Sequence, residues 1–471
     1  VLFPTVEYAL FFLGAFAASW ALARRLALHK AFLLAASYAF YGFWDWRFLP
    51  VLLGLSLLAA LVAQALELDV PARLRKGVLA TGVTASLATL ALFKYLGFGA
   101  SALVALARAL GLEPPAARLP EIALPVGISF FAFHAISLMV DAYRRRIPVA
   151  VKVLDALLYV AFFPQLVAGP ILRAASFLPA LAVERDPSRL ELTRGLSRLA
   201  VGLVKKVFVA QVLASALVDP VFEAPAAHGA LEALVAVYAY AVQIYCDFSG
   251  YSDMAIGSAL LLGYAIPENF RAPYRADSPQ DFWRRWHLSL STWLRDYLFI
   301  PLGGSRGTPE RTAVALAITM LLGGLWHGAA WTFVAWGAFH GAGLVVHRAW
   351  QQLPLAKALQ ASRAWSVVSV VVTFHFVCLG WVLFRAPSVG VATELLRVIA
   401  SGAPGGVTAG LLLLVFVALA TQWLPAHLGP AWTARLERVP VAVQGAAFAV
   451  LLLALDALGP RGVAPFIYFR F

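Results

Sequence analysis

Long apolar runs separated by short charged clusters set the pattern of this chain. Runs of roughly 20 apolar residues are long enough to cross a bilayer as helices. The first covers about residues 4–23 and is followed by Arg24, Arg25, His29 and Lys30. Basic clusters favour the cytoplasmic side, so that end is expected inside and the N-terminus outside. The run ends in Arg24-Arg25 without a small-residue cleavage site, so it is expected to be kept as a span. A shorter run, 31–44, ends at Trp44-Asp45-Trp46-Arg47, and 48–66 returns to a loop with Arg73, Arg75 and Lys76. Residues 77–99 go out again, and 100–120, with Pro114, Pro115 and Pro120, reads as an extracytoplasmic loop with a short surface helix. The 121–142 run comes back to Arg144-Arg145-Arg146, so the orientation is consistent over the first five spans.

Further along, Phe162-Phe163-Pro164 and Gly169-Pro170 interrupt the apolar run 152–168, which predicts a broken helix. Residues 171–193, with Arg173, Glu184, Arg185, Asp186 and Arg189, predict an amphipathic interfacial segment. A span over 195–218 carries Lys205 and Lys206 near its middle, where they are expected to snorkel or to face a polar cavity. Residues 229–264 suit a long tilted crossing. Residues 267–307 are too polar to span. Their helical spacing of Phe282, Trp286, Leu290, Trp293 and Tyr297 predicts amphipathic helices at the surface or re-entrant between spans. Apolar segments follow at about 311–326, 328–348, 365–385, 407–424 and 440–458. The pattern predicts an all-α polytopic membrane protein of about eleven transmembrane helices, with re-entrant and interfacial helices, forming one domain over 1–471.

Composition strengthens this picture. The 471 residues are 62% hydrophobic and 13% charged, against about 45–50% and about 25% in an ordinary soluble domain. The apolar runs are continuous rather than alternating, which excludes a β-barrel reading. The formal net charge is +13. The basic residues flank apolar spans or lie in the central polar stretch, and no nucleic-acid-binding motif accompanies them, so no nucleic-acid partner is expected. Membrane lipid is the expected surrounding. Cys246 and Cys378, both in apolar segments, read as small buried hydrophobes.

The candidate chemistry is concentrated between about Tyr245 and His340. Ionisable groups among membrane spans are costly to bury and therefore mark functional sites by default. His327 stands in Gly323-Gly324-Leu325-Trp326-His327-Gly328, where glycines permit close approach of another backbone or a ligand. An imidazole buried among apolar groups stays neutral, as a general base must be. The competing reading is a hydrogen-bonded core histidine. For His340 and for His134, seven residues from Asp141, the packed-histidine reading is the expectation. His287, in Trp286-His287-Leu288-Ser289, either orients a substrate or makes a structural helix contact. Arg284 and Arg285 suit phosphate recognition, and equally a cytoplasmic-face cluster. No HExxH, Cys/His cluster, GxSxG, Walker A or GxGxxG pattern is present, which argues against metal binding and ATP-driven transport.

These motifs together carry a resemblance. The stretches Leu124–Phe131, Phe163–Pro170, Asp247–Asp253, Pro267–Phe270, Asp281–Tyr297, Pro301–Gly304, Gly323–Gly328 and Phe466–Phe469 resemble a membrane-bound O-acyltransferase of the bacterial alginate O-acetyltransferase type. The resemblance implies helices around a central tunnel joining the two membrane faces, with His327 as the essential histidine and His287 as a second motif histidine. Substrate contacts are expected at Trp326, Trp286, Arg284, Arg285, Ser289 and Asp247. It implies acetyl-CoA or another acyl thioester as the donor substrate, with no bound cofactor and no metal. The acceptor would be a periplasmic acetyltransferase partner or the exported polysaccharide itself, and the location the cell inner membrane. General-base catalysis and an acyl-imidazole route both remain open. Trp326, Trp331 and Trp336 are candidates to wall the site against water. The competing readings are D-alanyl or other acyl transfer to a cell-wall polymer, a transporter of lipid-linked sugars, and a non-catalytic scaffold of an export complex.

Overall fold

Every regular element of the computed structural model, which describes residue 3, residues 5–112 and residues 122–458, is a helix. The all-α expectation therefore holds among the described residues. Pro114, Pro115 and Pro120 of the expected loop, and the Phe466–Phe469 stretch, lie outside them.

Among the described residues, five helical stretches are long and apolar enough to cross a membrane: Leu26–Glu67, Ala72–Lys94, Leu192–Glu223, Ala230–Leu261 and Arg363–Arg385. A sixth is added if Ala409–Trp423 and Leu428–Leu436, which meet at 94°, count as one bent span. This is a multi-pass membrane architecture, but the count of about eleven is not reached by these criteria. Two causes are visible. The runs 31–44 and 48–66 fall in one 42-residue stretch, joined by a single tight turn at Trp46–Phe48 that Asp45 caps. Val6–Ala21, Leu96–Ala109, Ile128–Tyr143 and Val441–Ala457 are apolar but shorter than 18 residues.

The chain divides into two compact units. The first comprises residues 1–190 with 262–264. Its centre is Ile128–Tyr143, buried along nearly its whole length, as expected of a helix apolar on all sides. On it, His134 accepts a hydrogen bond from the Leu172 amide at 3.1 Å, a structural role. The broken helix predicted from Pro164 is present. Val153–Ala161 ends at Phe162, and Phe163–Leu166 forms one further turn, held by the Gln165 amide donating to the Tyr159 carbonyl at 2.7 Å. Ala174–Leu181 follows, with Phe177, Leu178 and Leu181 buried, before the exposed residues that were expected at an interface. Lys30 and Asp155 make a buried ion pair of 2.6 Å in the same unit.

The second unit comprises residues 191–261 and 265–471. Ala230–Leu261 is its spine, 32 residues long and mostly buried. It packs on Leu192–Leu203, where the two backbones come unusually close. A Cβ on Gly202 would meet the Gly250 carbonyl oxygen at 2.6 Å, and one on Gly250 would meet that of Gly202 at 2.7 Å. Small residues at such crossings are how helices associate when burial of apolar surface offers little gain. Just beyond the crossing the first helix widens into π-helical turns at Val204–Ala210 and Ala214–Val218.

At this crossing both Lys205 and Lys206, expected to snorkel or to face a polar cavity, find carboxylate partners. Lys206 is paired with Asp247, both almost fully buried. Lys205 reaches Asp253 at 2.7 Å, and Arg198 reaches Asp253 at 2.6 Å and also pairs with Glu268. Charges on one helix are met by carboxylates on or just after the other, which is the arrangement burial demands of them.

Residues 267–307 do not form a span. They fold into the short turns and helices Pro273–Arg275, Pro279–Trp283, Leu288–Leu294 and Arg295–Phe299. Ser278 caps the second by accepting from the Asp281 amide at 3.2 Å. Pro309–His327 and Trp331–Trp350 then form a helical hairpin broken at residues 328–330.

Candidate active site

His327 is the last residue of Pro309–His327. That helix starts at Thr308, whose hydroxyl accepts from the Arg311 amide at 3.4 Å, with Pro309 at its first position. It stops because Gly328 turns to extended backbone. The return helix packs backbone to backbone on it. A Cβ on Gly324 would run into the Phe333 carbonyl oxygen and the Gly337 backbone, and one on Gly337 would meet the Met320 carbonyl oxygen at 2.5 Å. The two glycines therefore allow a spacing no larger residue would, and the spacing brings Trp336 against His327.

Among the described residues, three aromatic rings meet the His327 imidazole edge to face. Their centroids lie 5.0 Å away for Trp326, 5.1 Å for Trp336 and 5.2 Å for Phe384. His327 is buried. Its place at a helix C-terminus has an electrostatic consequence: the carbonyl ends favour a positive charge, so an imidazolium at this position would be stabilised.

His287 is fully buried, 4.5 Å from Phe248 and 6.1 Å from Trp326 between ring centroids. The two histidines thus share the Trp326 ring. His287 has φ 42°, in the left-handed region, where a residue with a Cβ is strained by about 1–2 kcal/mol. Burial pushes its imidazole pKa down to about 3. Among the described residues neither ring nitrogen of His287 has a hydrogen-bond partner.

The backbone around His287 is tied to Asn269. The Leu288 amide donates to the Asn269 carbonyl at 2.9 Å. The Asn269 side-chain oxygen accepts from the Ser289 amide at 3.2 Å and from the Ser289 hydroxyl at 2.9 Å. The Asn269 amide nitrogen donates to the Ser252 hydroxyl, on the spine helix, at 3.2 Å.

Beyond Trp336 lies a further buried histidine, His340. His340 stands 4.7 Å from Trp336 and 5.3 Å from Trp283 between centroids. It is packed, as expected, but without hydrogen bonds: among the described residues neither of its nitrogens is partnered, nor are the indole N–H groups of Trp283 and Trp336. Each such group costs about 1–3 kcal/mol when buried.

The pattern that defines the MBOAT, or membrane-bound O-acyltransferase, family matches residues 38–386. The chain belongs to this family. It is similar to the "Probable alginate O-acetylase AlgI" of Azotobacter vinelandii, at 41% identity over 388 residues, covering 81% of this chain and 73% of that protein. The "Peptidoglycan O-acetyltransferase" of Helicobacter pylori is 33% identical over 412 residues, 82% of this chain and 76% of that protein. The "Teichoic acid D-alanyltransferase" of Streptococcus thermophilus is 30% identical over 285 residues, 55% of this chain and 68% of that protein.

The protein is therefore an O-acyltransferase, and the transporter and scaffold readings give way to an enzyme. Within it, the structure brings His327, His287 and Trp326 into one cluster. Trp286 is buried nearby, 4.8 Å from Trp381 and 5.0 Å from Phe270. Ser289 is engaged by Asn269 and Asp247 by Lys206, so both are committed to the protein's own groups. Arg285 pairs with Asp281 at 2.7 Å, and Arg284 is exposed. Of the three tryptophans expected to wall the site, Trp326 and Trp336 flank His327. Trp331 is 61% exposed, because it opens the return helix at the hairpin's end rather than facing the first helix. The sequence reading gave no role to Phe384 or Phe248, and noted Asn269 only as part of Pro267–Phe270. Nothing local marks Phe384; Phe248 stands in the Asp247–Asp253 motif stretch, but its contact with His287 joins distant segments.

Proposed function

We propose that this acyltransferase passes an acetyl group from a thioester donor on the cytoplasmic side, acetyl-CoA or a carrier-bound thioester, to a hydroxyl acceptor outside. The acceptor hydroxyl oxygen attacks the thioester carbonyl while His327 takes its proton. The C–O bond forms, the C–S bond breaks, and the leaving thiolate takes the proton back from His327. The observation that carries this reading is the seat of His327: a buried imidazole at a helix C-terminus, walled by Trp326, Trp336 and Phe384. Rings on three sides keep water from competing with the acceptor for the thioester. His287 orients substrate across Trp326. Trp286, Ser289 and Asp247 support that arrangement, while Arg284 and Arg285 meet the anionic part of the donor at the exposed edge.

The acceptor proposed is an exported polysaccharide such as alginate, reached directly or through a periplasmic acetyltransferase. The names of the relatives at about 40% identity support it. The proposed location is the cell inner membrane with the N-terminus outside, on the strength of Arg24, Arg25 and the later basic clusters. Both compact units would serve one acyltransferase domain, since the family match runs through parts of each.

A D-alanyl donor is the second reading, favoured by the relatives named for teichoic acid D-alanyl transfer. Turnover of acetyl and D-alanyl thioesters, presented on coenzyme A and on a carrier protein, separates the two. Preferential release from acetyl thioesters is expected. Turnover of the D-alanyl donor alone would replace the acetyl assignment.

A further inference from the structure

The first turn of any helix leaves backbone N–H groups without helical partners, and the residue just before the helix normally supplies an acceptor from its side chain. For Leu288–Leu294 that residue is His287, and its side chain makes no capping hydrogen bond. Two of these N–H groups are nevertheless satisfied from elsewhere. The Leu288 amide donates to the Asn269 carbonyl and the Ser289 amide to the Asn269 side-chain oxygen. Asn269 lies 18 residues before His287 and has the chemistry of a preferred cap, but it caps from a neighbouring loop.

Three features make this more than a loop contact. Asn269 is almost fully buried, so its amide is held by protein groups at both ends: Ser289 at the oxygen and Ser252 of the spine helix at the nitrogen. The same loop pair is pinned again where the Arg271 amide donates to the Arg285 carbonyl at 2.9 Å. Finally, His287 holds a left-handed φ of 42°, which a residue bearing a side chain does not adopt unless its surroundings impose it. A conventional capping geometry would turn the residue at 287 toward its own helix. The arrangement found leaves the imidazole against Phe248 and Trp326 instead.

We propose that Asn269 is a positioning residue of the acyltransferase: it caps the Leu288–Leu294 helix in place of His287 and so releases the His287 imidazole to the substrate. This rests on the reading that His287 takes part in the reaction. A misplacement of about 1 Å can cost on the order of 100-fold in rate. Asn269→Ala is therefore expected to lower kcat by about 10- to 100-fold, with the donor KM changed by no more than about threefold.

The test is a double-mutant cycle on the purified full-length protein, reading thiol release from acetyl-CoA. Wild type, Asn269→Ala, His287→Ala and the double variant are compared. The expected result is that Asn269→Ala costs little once His287 is gone, since it acts through that ring. Should Asn269→Ala fail to fold, Ser252→Ala, which removes only the bond orienting the Asn269 amide, is put through the same cycle with a smaller loss of about two- to fivefold expected. An equal loss in the presence and absence of His287, or a wild-type kcat for the position 269 and 252 variants, overturns the proposal for Asn269 alone. Wild-type kcat in His287→Ala overturns the participation of His287, and the positioning role with it.

Discussion

His327 and Trp336 meet edge to face, with ring centroids 5.1 Å apart and planes 84° apart. They stand on consecutive helices, and the contact exists because Gly324 and Gly337 let those helices touch. Gly337→Val should therefore act at a distance. Overpacking of a tight crossing costs about 1–3 kcal/mol. Thermal unfolding in detergent is expected to drop by several degrees, and kcat to fall with it. Trp336→Ala should lower kcat at least tenfold through the same contact. Unchanged kcat in both variants would separate Trp336 from catalysis.

The buried pair Lys206–Asp247 gives a prediction of the opposite kind. Asp247→Leu takes away the carboxylate that the buried Lys206 ammonium is paired with, and breaking one partner of a buried pair costs about 3–5 kcal/mol. Replacing both, Lys206→Met with Asp247→Leu, removes the ammonium as well and should recover most of that loss. Denaturant titration of the two variants in detergent checks this. A double variant as unstable as the single one would show that the pair contributes more than mutual neutralisation.

For Arg284 and Arg285 the expected effect is on binding alone. Arg285 pairs with Asp281 at a partly exposed site, and such pairs contribute about 0–1 kcal/mol. Changing both to Ala should leave the unfolding midpoint nearly unmoved and raise the KM for acetyl-CoA about tenfold, the loss of one charge-assisted contact. An unchanged KM would return both residues to a purely topological role.

Protonation of His287 predicts a pH effect on stability. Its folded pKa, about 3, is below the usual value of about 6.5, so between those values the unfolded chain binds the extra proton. Stability contributed by the neutral form is complete above about pH 6.5 and declines as the pH falls toward 3. Between pH 7.5 and 5 the loss attributable to this residue is about 2 kcal/mol. His287→Gln should flatten that part of the unfolding profile. An equally steep profile in the variant would assign the effect to other groups.

Much of this site was legible in the chain because its residues are local in sequence. Trp326, His327 and the glycines lie within six positions, and Trp286, His287 and Ser289 within four. The class of fold was legible for the same reason, since apolar run length is a local property. What could not be read is what depends on distant segments meeting. The partners of Lys205 and Lys206 lie some forty to fifty residues on, at Asp247 and Asp253. Phe384 reaches His327 from a later helix. Asn269 was visible as a motif residue, but its capping role needs the loop to close on Leu288 and Ser289. The span count differed because a single tight turn joins Leu26–Asp45 to Leu49–Glu67, and because several apolar helices are short.

The most direct measurement compares purified wild type with His327→Ala in nanodiscs, reading thiol release from acetyl-CoA or a carrier-bound acetyl thioester with a hydroxyl acceptor present. The account predicts steady release by the wild type and a loss of about 100- to 10,000-fold in the variant, with unchanged folding by circular dichroism and size exclusion. Release at the wild-type rate from a folded His327→Ala protein would contradict it.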